Sequence, residues 1–406
     1  MKDEIRMRKA EWPKVKTGTL AEQVRGVSYG KEDAADSQLP GYLPVLRAGN
    51  ITDDGLVYED LVFVPKERIS EKQKIRRGDV VIAASSGSLD VVGKAAPALA
   101  DLEGSFGAFC KVLRPNAKVH PGYFAHFFKT LDYRRRVSAL AAGANINNLR
   151  NEHLDDMEIP LPPLAEQRRI AEVLDRAEAL RAKRRAALAE LDSLTQSLFL
   201  DLFGDPVTNP NGFPKVSLAS LVREDDTINY GVVQPGDDLE EGVPLVRVGD
   251  LIDGSVRHSE LKRIAPSIEA AYKRSRLRGD EILVSCVGSI GVVALANESV
   301  KGFNIARAVA RIPLAESTDR LFMAAYLNTD FVQRYFTNEL RTVSQPTLNI
   351  KQITETTVVL PPIALQQEFA RRVGAVEKLK AAQRAALAEQ DALFATLQHR
   401  AFRGEL

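Results

Sequence analysis

Cysteine is scarce in this 406-residue chain, which contains only Cys110 and Cys286. Both lie in apolar, strand-like surroundings and lack the neighbouring His, Cys or Asp residues that a metal site requires. We therefore expect two buried free thiols in a reducing cytoplasm, and neither a disulfide framework nor a metal centre.

Long apolar runs are also missing. No stretch approaches the ~18 residues that span a bilayer, and the opening MKDEIRMRKAEW lacks the apolar core of a secretory signal. The chain has no strong charge of either sign, since 55 basic and 54 acidic residues leave a formal net charge of +1. The sequence thus predicts no membrane partner, and any basic surface for nucleic acid must be local.

Recognisable catalytic motifs are absent as well. The segment from Gly87 to Lys94 resembles a phosphate-binding loop, but five residues instead of four separate its outer glycines. Ala95 stands where such a loop needs Ser or Thr to hold magnesium. The five histidines, at 120, 126, 153, 258 and 399, have no partners at ligand spacing. We expect the chain alone to catalyse nothing and to bind no cofactor.

What the chain does have is an internal duplication with a period of about 200 residues. RAALAE at 185–190 recurs at 384–389, and IPLPP at 159–163 matches VVLPP at 358–362. Near the start of each copy, Pro44, Arg47 and Gly49 match Pro244, Arg247 and Gly249. This period exceeds the ~20–50 residues of solenoid repeats, so it indicates two domains.

Each copy begins with short apolar runs broken by Gly, Pro, Asn and Asp, which is typical of strands, and continues with a short aromatic-rich helix. A Pro-Pro pair then leads into a long helix, because the first helical turn tolerates proline. The predicted fold class is α+β, with two pseudo-symmetric β-rich α/β domains separated by two long antiparallel coiled-coil helices. The predicted boundaries are 1–158 for domain 1, 159–203 for spacer helix 1, 204–357 for domain 2 and 358–406 for spacer helix 2.

The long helices carry heptad seams, with core positions at alternating spacings of four and three residues. In the first helix the predicted seam is Val173, Ala177, Leu180, Arg184, Ala187, Leu191, Leu194 and Leu198. In the second helix it is Val376, Leu379, Gln383, Ala386, Gln390, Leu393 and Leu397. The first helix leaves domain 1 and ends at domain 2, so packing of the seams requires an antiparallel pair. At ~1.5 Å per residue, the helix over 164–200 spans roughly 55 Å.

A basic segment recurs in both copies. Six basic and two acidic residues lie from Lys66 to Arg77, and seven basic and two acidic residues lie from Arg257 to Arg278. Both segments adjoin an Arg-Gly-Asp turn that leads into an apolar strand. A single charge run is usually a solvated face, but recurrence in a near-neutral chain favours contact with phosphate.

Polar clusters follow these segments and supply the amide, hydroxyl and guanidinium groups that read base edges. Loop capping explains any single one of them equally well. The candidate DNA-contacting residues are Arg47, Lys72, Lys74, Arg76, Arg77, Ser85, Ser86, Asn145, Asn147, Asn148 and Arg150 in the first copy, and Arg247, Lys273, Arg274, Arg276, Arg278, Ser285, Ser289, Gln345, Asn349 and Lys351 in the second.

With these features the chain resembles the specificity subunit of type I restriction–modification enzymes over nearly its whole length. The resemblance is carried by EIPLPPLAEQRRIAEVLD at 158–175, VVLPPIALQQEF at 358–369, LFGDPVTNPNGFP at 202–214, and the strand leads PVLRAGNI at 44–51 and PLVRVGDL at 244–251. The second copy departs from the pattern at Leu365, which replaces the Glu before Gln366.

The resemblance implies two target-recognition domains that each bind half of a split double-stranded DNA site. It also implies docking of two adenine methyltransferase subunits and of endonuclease subunits, to which S-adenosylmethionine, ATP and magnesium belong. The candidate docking residues are Glu166, Gln167, Arg168, Arg169, Gln366 and Gln367. Two other classes stay open: an adaptor whose paired helices space two protein-binding domains, and a fused methyltransferase or nuclease, which the missing cofactor loops disfavour.

Overall fold

The computed structural model of the protein describes residues 12–141, 147–339 and 346–406. The chain forms two compact units: unit 1 comprises Met1–Ala186 with Gln383–Leu406, and unit 2 comprises Ala187–Ala382. Each unit combines small β-sheets with short helices, and two long helices contribute residues to both units. The predicted α+β fold class is confirmed.

Unit 1 contains thirteen strands among its described residues. They are β1 (Lys14–Lys16), β2 (Ala21–Arg25), β3 (Tyr42–Leu46), β4 (Ile51–Thr52), β5 (Gly55–Leu56), β6 (Val62–Pro65), β7 (Val80–Ala83), β8 (Ser85–Ser86), β9 (Ala95–Pro97), β10 (Ser105–Phe106), β11 (Cys110–Pro115), β12 (Asn147–Asn148) and β13 (Glu158–Pro160). The helices that begin in this unit are α1 (Pro121–Phe127), α2 (Leu131–Ala141), α3 (Asn151–Asp155) and the long α4 (Leu164–Phe203). The main sheet has the order β2-β11-β7-β9, and a second sheet has the order β10-β3-β6.

Unit 2 repeats this plan with fewer strands among its described residues. They are β14 (Lys215–Ser217), β15 (Asn229–Tyr230), β16 (Val243–Val246), β17 (Leu251–Ile252), β18 (Ser255–Val256), β19 (Lys262–Ile264), β20 (Ile282–Ser285), β21 (Val293–Leu295), β22 (Asn304–Ile305), β23 (Val309–Ile312) and β24 (Thr357–Val359). The helices that begin here are α5 (Pro266–Ala270), α6 (Arg320–Leu327), α7 (Asp330–Asn338), α8 (Ile350–Thr354) and the long α9 (Ile363–Ala401). The sheet orders are β15-β23-β20-β21-β18-β17 and β19-β16-β22.

A central strand of each main sheet, β7 or β20, is apolar apart from Ser285 because both of its faces are covered. In β7, Val80 and Ile82 belong to one hydrophobic cluster, whereas Val81 and Ala83 belong to another. Strand β20 divides its side chains between two clusters in the same alternating way. Each sheet is therefore the wall between two small cores.

The cysteines lie in these cores. Cys110 and Cys286 are buried free thiols, as predicted. Burial raises the pKa of each thiol to about 12, because the thiolate would lose its solvation. Neither thiol is therefore a reactive nucleophile at neutral pH.

The predicted helix pair is antiparallel within each unit. In unit 1 the hydrogen-bonded pairs Arg181–Asp391 and Arg184–Gln383 run in opposite directions along the two helices. In unit 2, Asp192 pairs with Lys380 at 2.7 Å, and the Phe199 and Phe369 rings lie 5.8 Å apart between centroids. The prediction of an antiparallel pair is confirmed inside both units.

Four of the fifteen predicted seam positions are wrong by one residue. Leu180, Leu194, Leu379 and Leu393 are 42–58% exposed. The inward positions are those one residue further along, which are Arg181, Thr195, Lys380 and Phe394. The heptad pattern favours leucine at these positions, whereas the helices place paired polar side chains at several contact positions. Arg181 donates to Asp391 at 2.6 Å and lies 4.4 Å over the Phe394 ring.

Each core is completed by the end of the long helix that begins in the other unit. In unit 1, Phe394 and Ala401 of α9 are buried, and the Phe402 ring lies 4.9 Å from Tyr123. In unit 2, Phe199 and Phe203 of α4 are buried in the main cluster. Removal of either helix end would therefore open a hydrophobic core.

Among the described residues, no helix combines the length and the apolar character needed to cross a membrane. In the same part of the chain, no group of three or more His, Cys, Asp or Glu side chains is placed to hold a metal ion.

Candidate nucleic-acid interface

In both units an arginine is held by the same two hydrogen bonds, an arrangement that is called the arginine hairpin below. In unit 1 the Arg47 N–H donates to the Asn50 side chain at 2.8 Å, and its guanidinium donates to the Asp60 carbonyl at 2.6 Å. In unit 2 the Arg247 N–H donates to Asp250 at 2.8 Å, and its guanidinium donates to the Glu260 carbonyl at 3.2 Å. The two residues whose carbonyls accept these bonds, Asp60 and Glu260, have positive φ angles of 51° and 58°. The chain thus fixes both arginines at one side while leaving part of each guanidinium exposed.

The charge around this arginine differs between the units. Asp250 is buried and bonds Arg247 at 3.1 Å and Arg257 at 3.2 Å, so its carboxylate compensates charge there. Asn50 takes its place in unit 1 and carries no charge. The Arg47 guanidinium is therefore held by a neutral frame, which leaves its positive charge available to a ligand.

In unit 1, Arg47 lines a cleft of about 860 Å³. Its lining includes Arg47, Ser85, Ser86, Tyr29 and Phe109. The carboxylates of residues 59 and 60 also line it, so the cleft offers donors and acceptors together. Burial raises the pKa of Tyr29, while the Arg47 charge acts in the opposite direction. Such mixed chemistry suits base edges better than phosphates, which need an excess of positive charge.

The floor of the cleft depends on a close backbone approach that recurs in both units. A Cβ at Gly26 would lie 2.0 Å from the Gly107 carbonyl oxygen, and one at Gly231 would lie 1.6 Å from the Ile305 oxygen. The next residue, Val27 or Val232, donates its N–H to the adjacent strand at 2.8 or 2.7 Å. Only glycine permits this approach, which brings Tyr29 to the cleft.

Strand β8 brings two predicted clusters of unit 1 together. Ser85 pairs with Asn148 and Ser86 with Asn147 in an antiparallel ladder. Asn148 and Arg150 are exposed beside it, and Arg150 lies 3.7 Å from Glu152. Asn145 lies outside the described residues. The structure therefore places Arg47, both serines and Asn148 in one neighbourhood.

In unit 2 the serine match was wrong. Ser285 is fully buried, and its hydroxyl donates to the Ser289 carbonyl and accepts from the Val292 N–H. A hydroxyl so engaged holds a turn and reads no base. Leu149 and Leu348 donate to the carbonyls of Ala84 and Cys286, so the counterpart of Ser85 is Val287.

Other candidates of unit 2 remain exposed or partly exposed. Ser289 and Lys351 are exposed, and Lys351 lies 3.7 Å from Glu355. Asn349 is the N-cap residue of α8, where its N–H donates to the Gln352 side chain at 2.7 Å. Gln345 lies outside the described residues. Arg307, which the sequence reading missed, is exposed on the turn before β23.

Ion pairs neutralise much of the two basic segments. In unit 1, Lys72 pairs with Glu22 and Lys74 pairs with Glu71 at 2.7 Å. In unit 2, Glu269 holds Arg276 through two bonds of 2.6 and 2.7 Å, and Arg278 lies 3.5 Å from Asp226. Of the predicted DNA-contacting residues in these segments, Arg76, Arg77, Lys273 and Arg274 are exposed and enter no ion pair within the described part of the chain. These four remain the best candidates for phosphate contact.

The basic segment of unit 1 does not adjoin the cleft. Arg114, near the end of β11, donates to the carbonyls of Lys72 and Lys74. The cleft instead lies at Cys110, where β11 begins. Four residues of strand separate these points by roughly 13 Å. The structure therefore divides the predicted site into two parts.

Two of the predicted docking residues were wrong because they are buried. Gln167 and Gln366 are each 1% exposed. Gln167 accepts from the His120 N–H at 2.7 Å and donates to the Pro162 carbonyl at 2.8 Å. Gln366 makes the equivalent bonds to Asp319 and Pro361 at 2.9 and 2.8 Å. Each glutamine ties the start of a long helix to its own unit.

The other predicted docking residues remain accessible. Arg168, Arg169 and Gln367 are exposed, and Glu166 is partly exposed. Arg169 bonds Glu166 at 2.6 Å and the carbonyl of Leu406 at 2.9 Å. The exposed candidate surface at the helix start therefore consists mainly of guanidinium groups.

Comparison with known proteins gives consistent matches. A family model described as "Type I restriction modification DNA specificity domain" matches residues 9–190 and 224–389. The type I restriction enzyme EcoKI specificity subunit of Escherichia coli strain K12 is 32% identical, covering 97% of this chain and 89% of the relative. The StySPI specificity subunit of Salmonella potsdam is 33% identical with the same coverage.

Two solved structures share the fold. A type I restriction–modification system S subunit from M. genitalium has a TM-score of 0.56 at 16% identity. A chain solved in work on assembly and conformational transition of the type I R-M system has a TM-score of 0.52 at 19% identity. Each comparison covers 98% of both chains. Identities this low support the architecture and leave the choice of DNA-contacting residues to the geometry.

Proposed function

Because this chain belongs to the type I restriction–modification DNA specificity family and is a specificity subunit of such a system, we propose that it reads a bipartite, asymmetric DNA site and catalyses nothing itself. Unit 1 reads one half-site and unit 2 reads the other. Methyltransferase and endonuclease subunits dock on the chain and supply the chemistry. The observation that carries this proposal is the arginine hairpin, which recurs in both units among different neighbours.

Guanidinium groups suit this role because they bind guanine through two acceptors of one base edge. Arg47 and Arg247 are each held through one side by a carbonyl, so their remaining N–H groups have a fixed direction. The serine hydroxyls and the carboxylates of the unit 1 cleft can discriminate further bases, since carboxylates accept from the cytosine amine. The unequal neighbours predict unequal half-sites.

The test is methylome sequencing of cells that carry the wild-type gene, Arg47→Ala or Arg247→Ala. We expect Arg47→Ala to relax one base position in one half-site, at a cost of about 1–3 kcal/mol in discrimination. Arg247→Ala should relax the other half-site. Arg25→Ala is the matched control, because Arg25 is an exposed cation of unit 1 outside the cleft. A continuous palindromic target, or relaxation of both half-sites by either variant, would contradict the proposal.

A gel shift separates this function from that of an adaptor. The chain with its methyltransferase partner should retain DNA that contains the methylated sequence and release DNA in which one half-site is scrambled. An adaptor that spaces two protein ligands would show no such preference. Replacement of Arg76 and Arg77 by Ala should weaken binding to all sequences and lower the salt slope by about 1 per lost phosphate contact. If the salt slope is unchanged, these residues make no phosphate contact and form only a solvated face.

Docking of the methyltransferase is proposed at the exposed start of α4. Reversal of Arg168 to Glu should lower co-purification of the methyltransferase, because charge at a partner surface sets complementarity. Lys183→Glu is the matched control, since Lys183 is exposed further along the same helix. Equal retention of the partner by both variants would place the docking surface elsewhere.

A further inference from the structure

Phe109 is an exposed aromatic side chain on a rigid turn of unit 1. The residue is 67% exposed. Its backbone is held firmly, because its carbonyl accepts from the Ala84 and Ser85 N–H groups at 2.8 and 3.0 Å. On the same turn, the Cys110 N–H donates to Gly107 at 2.8 Å, and the Gly107 N–H donates to Leu46 at 2.8 Å. The chain therefore fixes the position of this ring without burying it.

The place of the ring suggests what covers it. Phe109 lines the cleft with Arg47, Tyr29 and the two serines. A phenyl ring makes no hydrogen bonds, so its exposure beside base-reading groups contributes nothing unless a ligand covers it. In DNA complexes, apolar side chains of this kind act as wedges that enter between base steps and partly unstack them. A rigid backbone favours such a role, because the loop does not yield when the ring meets the stack.

Unit 2 provides an internal contrast. The carbonyl of Ala308 accepts from the Cys286 N–H at 2.7 Å, as the carbonyl of Phe109 accepts from Ala84. Ala308 therefore occupies the position of Phe109 in the same turn. A methyl group cannot act as a wedge, and the neighbouring exposed side chain is Arg307.

We propose that Phe109 inserts between two adjacent base pairs of the half-site that unit 1 reads, whereas unit 2 reads its half-site without insertion. This inference rests on the proposed function. The inserted ring unstacks one base step, and Arg47 beside it contacts a base edge next to the opened step. The two half-sites then differ in DNA deformation as well as in sequence, so unit 1 gains selectivity for steps that unstack easily.

The experiment uses the chain reconstituted with its methyltransferase subunits and a duplex that contains the target sequence found by methylome sequencing. 2-Aminopurine replaces one base at a time in both half-sites, because its fluorescence rises when it is unstacked. The adenines that become methylated are left unsubstituted, because methyltransferases flip their target base out of the stack. At the other positions we expect a rise at one step of the unit 1 half-site and at none of the unit 2 half-site. Phe109→Ala should abolish the rise and weaken binding about tenfold, since base–aromatic contact is worth about that much per base.

Two variants keep the test sharp. Phe109→Leu retains an apolar wedge and should keep part of the rise. Leu99→Ala is the matched control, because Leu99 is an exposed apolar residue of unit 1, 80% exposed, and lies outside the cleft. Its fluorescence and affinity should equal those of the wild type.

Several results would overturn the inference. Specific binding without a rise at any step would exclude insertion. If replacement of thymine by uracil weakened binding as much as Phe109→Ala and no step unstacked, the ring would contact a thymine methyl instead. If Phe109→Ala lowered only co-purification of the methyltransferase, the ring would belong to a protein interface. Loss of all sequence preference in the wild-type complex would instead refute the proposed function itself.

Discussion

Units 1 and 2 hold an arginine in the same backbone frame and surround it with different side chains. The frame consists of the bond from the arginine N–H to residue 50 or 250 and the bond from its guanidinium to the carbonyl of residue 60 or 260. The neighbours differ, since unit 1 offers a neutral Asn50 and an aromatic Phe109, whereas unit 2 offers Asp250 and Ala308. The scaffold is thus separate from the residues proposed to read DNA, so these residues can change without loss of the fold.

The cores differ in a similar way. Val112 of β11 pairs with Val81, and its side chain belongs to an apolar cluster. Arg311 takes the equivalent place on β23, where it is 2% exposed and pairs with Asp226 and Glu281. Unit 2 therefore keeps a buried ionic group where unit 1 keeps a valine. Such a group contributes little stability while intact but is costly to break.

Replacement of Arg311 by Met should give the largest effect. It leaves the Asp226 carboxylate buried without its main partner, which costs about 3–5 kcal/mol. Glu281 suffers less, because it also accepts from the N–H groups of Arg278, Gly279 and Asp280. Hydrogen exchange measured by mass spectrometry should show faster exchange in unit 2 and little change in unit 1.

The control for this prediction is Arg307→Met, which removes the same charge from an exposed position in the same unit. Its exchange should match the wild type. If unit 2 were equally protected from hydrogen exchange in both variants, Arg311 would be dispensable for stability. The difference between Arg311 and Val112 would then have no effect on the free energy of unfolding.

The buried glutamines give the second largest effect, and here the units should agree. Gln167→Leu leaves the His120 N–H and the Pro162 carbonyl unpaired, and Gln366→Leu does the same to Asp319 and Pro361. Two unpaired buried groups cost roughly 2–4 kcal/mol. Each variant should lower the denaturant midpoint of its own unit by a similar amount. Hydrogen exchange measured at several denaturant concentrations gives the midpoint of each unit. Gln367→Leu changes an exposed residue and should leave both midpoints unchanged. If it lowered the midpoint of unit 2 as much as Gln366→Leu does, the two hydrogen bonds of Gln366 would not be the cause.

Much of the fold was predictable because it depends on patterns within the sequence. The duplication, the Pro-Pro starts of α4 and α9 and their antiparallel pairing follow from repeats, proline chemistry and connectivity. The exact seam was not predictable from the sequence. Arg181 and Lys380 lie inward because they form ion pairs with Asp391 and Asp192, respectively. Those partners are about 200 residues away in the sequence, so local apolar spacing cannot identify them.

The site was predictable only in part. Arg47, Ser85 and Ser86 share a cleft, but simple alignment matched Ser85 to Ser285 instead of to Val287. The error arose because short strands tolerate insertions of two residues without a visible sequence signal. Phe109 was missed because a phenylalanine before a strand is normally read as core, and only the turn geometry shows that it is exposed.

Acid should separate the units to a smaller extent through Glu269. The two bonds from Arg276 lower the pKa of this buried carboxyl below its ordinary value. A carboxyl with a lowered folded pKa stabilises the fold above its unfolded pKa, and that contribution is lost as the pH falls through the folded pKa. In unit 1 one of the two acids in the corresponding basic segment, Glu71, is 83% exposed, and within the described residues its ion pair is with Lys74. The loss of the Glu269 contribution should destabilise unit 2 by on the order of 1 kcal/mol between pH 5 and pH 3.

The measurement is hydrogen exchange of both units across that pH range, corrected for the intrinsic pH dependence of exchange. Glu269→Gln should reduce the stability of unit 2 at pH 7 and flatten its acid response. If the variant kept the full acid response, the loss would come from other carboxyls and the contrast with Glu71 would fail.

The smallest effect concerns the helix contacts, where the two units should again agree. Leu180→Ala in unit 1 and Leu379→Ala in unit 2 change side chains that are 58% and 48% exposed, so each should shift stability by less than about 0.5 kcal/mol. Arg181→Ala removes the bond to Asp391 and the contact with Phe394, and Lys380→Ala removes the bond to Asp192. Each should cost about 1 kcal/mol, because the partner carboxylates are partly exposed.

Thermal unfolding of the four variants at equal concentration measures the difference, and alanine is suited to it because it preserves helix propensity. If the leucine variants were the more destabilised pair, the contact positions would lie where the leucine pattern puts them, and the charged pairs would be surface contacts of little weight.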